Sequence, residues 1–175
     1  MPAAPGEAEL LTRSADPNTA AVPLEIAVGI HDEAWPEGLE ATAERAVLAA
    51  IDVLKLKFSG ASELSILLTD DAEQQELNRQ YRDKDAPTNV LSFPQIEPFG
   101  PVSGLLGDIV MARETLEREA AELGKPFAEH FTHLVIHGFL HILGYDHMDE
   151  EEALVMEGLE TQIMGSLGLA DPYAD

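Results

Sequence analysis

Apolar and polar residues change period several times along the chain, and each change marks a new element. Leu24-Glu-Ile-Ala-Val-Gly-Ile30 alternates, as a strand with one buried face does. From Glu37 to Lys57 the spacing is helical: Leu39, Ala43, Ala46, Val47, Ala50, Ile51 and Leu54 share one face, and Ser59-Gly60 close it. Glu63 to Thr69 reads as a second strand. Asp70 is placed to cap the next helix, with Glu73 three residues on, and that helix runs to about Arg82. Asp83 to Pro87 break it. Asn89-Val-Leu-Ser-Phe93 is a short strand stopped by Pro94, and Pro98, Gly100, Pro101 and Gly104 make residues 95–104 a loop. Leu105 to Met111 is a further strand, and residues 113–123 form a helix ended by Gly124. Pro126 suits the first turn of a helix that runs through His141. Phe131, Leu134, Val135, Ile136, Phe139 and Leu140 make it apolar on most sides, so it should be central and buried. Asp149 with Glu152 opens the last helix, which ends near Gly168.

This order predicts a single α+β domain: a small mixed β-sheet packed with about five helices, the His-bearing helix at its centre. The domain spans residues 22–175. Residues 1–21, rich in Ala and Pro and without periodicity, read as a flexible N-terminal extension.

Composition narrows the function. With 10 basic and 33 acidic residues the formal net charge is −23, which argues against a broadly basic surface for nucleic acid. The charge is segregated, however. Lys55, Lys57, Arg79, Arg82 and Lys84 are half of all basic residues, whereas residues 146–175 carry nine acidic side chains and no Lys or Arg. No apolar run reaches the ~18 residues of a membrane helix. The start, Met1-Pro-Ala-Ala-Pro-Gly-Glu, lacks the basic-then-apolar order of a secretory signal. Together with the lack of Cys, this favours the cytoplasm and no membrane partner.

The chemistry concentrates in His137-Gly-Phe-Leu-His-Ile-Leu-Gly-Tyr-Asp-His147. Residues four apart share a helix face, so His137 and His141 can aim at one point. Gly144 suits the helix end, after which the chain can turn back and bring in His147. Three imidazoles with one coordination position open describe a catalytic zinc site; a structural one would want a fourth ligand, usually Cys. We therefore expect one Zn2+ per chain on His137, His141 and His147. His133 shares the face of His137, but ligands at 133, 137 and 141 would spread over ~12 Å of helix. It is expected to support the site or the core instead.

Other polar residues leave two readings open. Asp108 sits in strand core, either solvated near a strand end or held against a partner such as an imidazole. Asp146 is either an orienter of a ligand's second ring nitrogen or a turn residue. Arg82 ends a helix beside a short polar loop; it is either a solvated helix-end cation or a fork for phosphate.

The spacing His-x-x-x-His-x-x-Gly-x-x-His also matches metzincin-type peptidases, but these require Glu directly after the first His, where this chain has Gly138. Gly138 either leaves space beside the metal or lets a neighbouring strand pack closely.

Taken together, the histidine segment and Tyr81-Arg-Asp-Lys-Asp-Ala-Pro-Thr-Asn-Val-Leu-Ser-Phe-Pro94 closely resemble the YbeY family of bacterial endoribonucleases, the rRNA maturation factors. Gly107-Asp-Ile and the tail from Leu159 to Tyr173 fit as well, so the resemblance covers roughly residues 24–173. It implies zinc on His137, His141 and His147, and importance of Arg82 for activity. It also implies cleavage of single-stranded RNA in 16S rRNA 3′-end maturation and ribosome quality control, with small-subunit ribosomal proteins and an assembly GTPase as associates. The alternatives are a metzincin-like peptidase and a zinc-containing assembly factor without catalysis. No general base is evident in the sequence.

Overall fold

A computed structural model describes residues 8–10, 22–82 and 89–174, with no side-chain description for 8–10, 81 and 82. The strands are β1 (Ala8–Leu10), β2 (Leu24–Ile30), β3 (Ser62–Thr69), β4 (Val90–Pro94) and β5 (Gly104–Ala112). The helices are α1 (Leu39–Leu54), α2 (Asp71–Arg82), α3 (Arg113–Leu123), α4 (Phe127–Leu143) and α5 (Glu150–Ser166). They form one mixed sheet in the order β1-β2-β3-β5-β4. β2, β3 and β5 run parallel, and the edge strands β1 and β4 are antiparallel to their neighbours. The α+β class, the mixed sheet and five helices agree with the sequence reading.

The alternation in the strands works as one hydrophobic face. Ile26 pairs with Leu64, Ile66 with Ile109 and Leu68 with Met111, and all six side chains are buried. A bulge between Glu63 and Leu64 leaves Leu106 as the extra residue of β5, and Gly107 takes φ 150 there. α4 lies against this apolar face and packs in turn on α1 and α5. Eleven of its seventeen residues are buried, which makes it the central helix. At its start, Trp35 packs edge-on to Phe127 and Phe131 and donates its indole N–H to the Thr69 carbonyl at 2.9 Å.

The caps follow the side chains that suggested them. Asp70 Oδ1 accepts from Glu73 N at 2.8 Å, and Asp149 Oδ1 accepts from Glu152 N at 2.8 Å. The Glu73 carboxylate does not complete a capping box; it binds the Thr69 hydroxyl and His31. α1 is shorter than its periodicity suggests. Lys55 turns left-handed, Leu56 N reaches back to the Ile51 carbonyl at 3.0 Å, and Leu56 packs on the core. That is a Schellman closure, so the apolar pattern continues past the helix without helical backbone. Within residues 1–21, expected to be an extension, Ala8–Leu10 pair with Glu25–Ala27 as an edge strand. The other residues of that stretch, and 83–88, lie outside the described residues.

Candidate metal centre

His137 and His141 project from the last two turns of α4, and His147 returns from the turn before α5. The helix must stop sharply for this. Gly144 takes φ 120, and a Cβ there would lie 2.9 Å from Phe99 N and from Pro98 Cα, so the loop passes where any side chain would stand. Phe99 N also donates to the Leu143 carbonyl at 2.8 Å, tying that loop to the helix end. Asp146 Oδ1 accepts from His147 N at 2.8 Å and fixes the turn.

The three expected ligands come together. Ring centroids lie 4.6 Å (His137–His141), 5.2 Å (His141–His147) and 5.7 Å (His137–His147) apart. One nitrogen from each lies within 4.8 Å of the others. His137 Nε2 and His141 Nε2 are 3.2 Å apart. Two ligands of one tetrahedral zinc, each at about 2.0–2.1 Å, would be about 3.3 Å apart, so this pair is already at ligand spacing. Three nitrogen donors suit zinc and other transition metals rather than Mg2+ or Ca2+, which take oxygens. His137 and His141 are mostly covered, whereas His147 is exposed, so the centre opens to solvent on the His147 side. Burial, and then the neighbouring His137, push the His141 imidazole down to about 4. Metal binding requires that neutral form.

Behind the cluster lies a carboxylate that the sequence reading missed. Glu160 of α5 is fully buried. Its Oε2 lies 2.7 Å from His137 Nδ1, its Oε1 lies 2.5 Å from His133 Nε2, and the Tyr173 hydroxyl donates to Oε1 at 2.5 Å. Burial alone would raise the Glu160 carboxyl, but the hydrogen bonds from His133, His137 and Tyr173 outweigh it and hold the group at about 2. Burial and the same carboxylate push the Tyr173 phenol upward. A signal for Glu160 was present in the sequence: it shares the buried face of α5 with Met156, Ile163 and Met164 at helical spacing. His133 has the supporting place expected of it.

The remaining candidates separate. Asp146 acts as a turn residue; its carboxylate is 4.0 Å from His141 Nδ1, beyond hydrogen-bond range. Asp108 does not meet an imidazole. It accepts from Gln95 Nε2 at 3.3 Å and lines a groove on the sheet face opposite α4, with Ser65, Leu67 and Phe93. Gly138 is not open space beside the metal. A Cβ there would come within 3.0 Å of Ile109 and 3.3 Å of the Ser92 hydroxyl, which donates to the Gly138 carbonyl. The second of its two expected roles holds: it lets the sheet pack closely on α4. Arg82 is the last residue of α2, as expected; its side chain lies outside the described residues.

The family model "Endoribonuclease YbeY" matches residues 29–168. The chain belongs to the YbeY family. It is 52% identical over 160 residues to the endoribonuclease YbeY of Agrobacterium fabrum, covering 86% of this chain and 95% of that one. It is 51% identical over 166 residues to the endoribonuclease YbeY of Rhodospirillum rubrum, covering 87% and 83%. A Thermotoga maritima protein solved in solution shares the fold, with a TM-score of 0.53 at 26% identity over 87% of this chain and 99% of that one. The family match spans α1 through α5 and includes every residue of the histidine cluster.

Proposed function

We propose that this protein is a zinc-dependent endoribonuclease that cleaves single-stranded RNA in 16S rRNA 3′-end maturation and ribosome quality control. The observation that carries the reading is the convergence of His137, His141 and His147 in a chain of an endoribonuclease family. Zinc at that point would supply Lewis-acid chemistry, polarising a phosphoryl oxygen and acidifying water. The chain's own groups set the stage for it. His137 and His141 present ring nitrogens from one helix, Glu160 holds His137, and the exposed side at His147 leaves room for an RNA strand. Arg82, beside the polar stretch that leads into β4, is assigned to the phosphate, where a guanidinium offers two parallel hydrogen bonds.

The peptidase alternative loses ground on Gly138. That position faces Ile109 and Ser92, and it carries no carboxylate to activate water. Small-subunit ribosomal proteins and an assembly GTPase are the expected partners in the cytoplasm. Among the described residues no helix is long and apolar enough to cross a membrane. Recruitment by such partners suits a chain of net charge −23.

The test is cleavage of a single-stranded 16S 3′-end RNA by purified protein, with analysis of the product ends. Chelation should abolish cleavage and zinc restore it. A 2′,3′-cyclic phosphate would identify the RNA's 2′-hydroxyl as nucleophile, and a linear phosphate would identify water. Cleavage that survives full metal removal would refute the reading, and so would metal-loaded protein that never cuts.

A further inference from the structure

A histidine can give Nε2 to a metal only while its proton sits on Nδ1, and a hydrogen bond at Nδ1 holds both that tautomer and the ring's direction. In His137 that bond goes to Glu160 Oε2 at 2.7 Å. Glu160 sits on the buried face of α5, where a carboxylate is costly unless its oxygens are satisfied. Its other oxygen takes His133 Nε2 and the Tyr173 hydroxyl, each at 2.5 Å. Tyr173 is brought there by the C-terminal tail. Tyr173 N and the Thr161 hydroxyl both donate to Asp171 Oδ1, at 2.9 and 3.0 Å, and Lys125 Nζ donates to the Pro172 carbonyl at 3.0 Å.

We infer that Glu160 is the positioning residue for His137, and that the tail, through Tyr173, completes the support of the metal centre. The inference rests on the metal reading above. The carboxylate fixes the His137 tautomer, aims Nε2 at the point that His141 Nε2 also faces, and makes that nitrogen a better donor. Tyr173 and His133 leave Glu160 no free rotation, so the aim is set before any metal arrives. A carboxylate that merely tied α5 to α4 would matter for stability but not for the tautomer or for metal affinity.

The test uses the full chain with two readouts besides activity. One is the zinc dissociation constant from competition with a chelator. The other is the His137 tautomer in the metal-free protein, read from nitrogen-15 NMR of the ring. Wild type should carry the His137 proton on Nδ1. Glu160→Gln, whose amide can accept from one imidazole but must present N–H to the other, should bind zinc about 10- to 100-fold more weakly. Tyr173→Phe keeps the carboxylate and should lose affinity by a smaller factor. A folded Glu160→Gln protein that binds zinc as tightly as wild type would overturn the inference, as would an Nε2–H tautomer in wild type. If Glu160→Gln does not fold, the wild-type tautomer decides the role of Glu160. Unchanged zinc affinity in Tyr173→Phe overturns the role of the tail. Failure of wild type to bind zinc would strike the metal reading instead, while the tautomer still decides whether Glu160 orients His137.

Discussion

Removing one imidazole tests the centre with little damage to the core, because His141 keeps 22% of its side-chain surface in solvent. Wild type should hold about one zinc per chain, and His141→Ala should lose most of it while keeping the helical content of wild type. Metal analysis showing an undiminished equivalent in the variant would take His141 out of the ligand set. Arg82→Ala should keep fold and metal and slow RNA cleavage, with only partial recovery in Arg82→Lys, because a point charge cannot reproduce the fork. Equal rates for wild type and alanine variant would return Arg82 to a solvated helix end. At this scale the clustering of His137, His141 and His147 was legible because i, i+4 spacing and a terminal glycine state a geometry directly. Glu160 was not singled out, since its role depends on which helix α5 packs against. Asp108 and Asp146 offered two readings each, and only the turn at Asp146 and the opposite-face position of Asp108 decided between them.

Whole elements were read from period and punctuation, and the discrepancies have local causes. Strands β2, β3 and β5 and helices α2 to α5 follow the expected stretches because apolar period, Asp caps and Gly stops agree there. α1 ends early because Leu56 serves the core from a Schellman turn, which a helical pattern imitates. β1 escaped because three residues contain too little alternation to register. Gly138 marks where an element meets its neighbour. Gly138→Glu would recreate the peptidase pattern on paper, yet it would push a carboxylate between α4 and Ile109 instead of toward the imidazoles. Overpacking and burial of a polar group together should cost about 3 kcal/mol or more. Urea unfolding should show that loss, with no peptide hydrolysis gained. A Gly138→Glu protein as stable as wild type would mean that Ile109 and Ser92 do not confine this position.

For the molecule as a whole, the excess of 33 acidic over 10 basic residues invites the expectation that acid relieves repulsion and stabilises the fold. Between pH 7 and 5 few carboxylates take up protons, so the histidines decide the sign there. His130 is buried on α4, with Nε2 at 2.8 Å from Glu119 Oε1, and Asn89 Nδ2 donates to the same carboxylate. Burial lowers the His130 imidazole from its ordinary 6.5, and this outweighs the pull of Glu119; His133 and Lys125 add to the lowering. The unfolded chain therefore binds a proton at His130 before the folded chain does. Stability from this group is complete above about pH 6.5 and is lost as pH falls through the lower folded value. Chemical denaturation of metal-free protein should show stability falling from pH 7 to pH 5. His130→Gln should have lower stability at pH 7 and a shallower fall, because glutamine has no proton to take up. Equal slopes in the two proteins would show that His130 titrates alike folded and unfolded, and that the acid sensitivity of this molecule lies elsewhere.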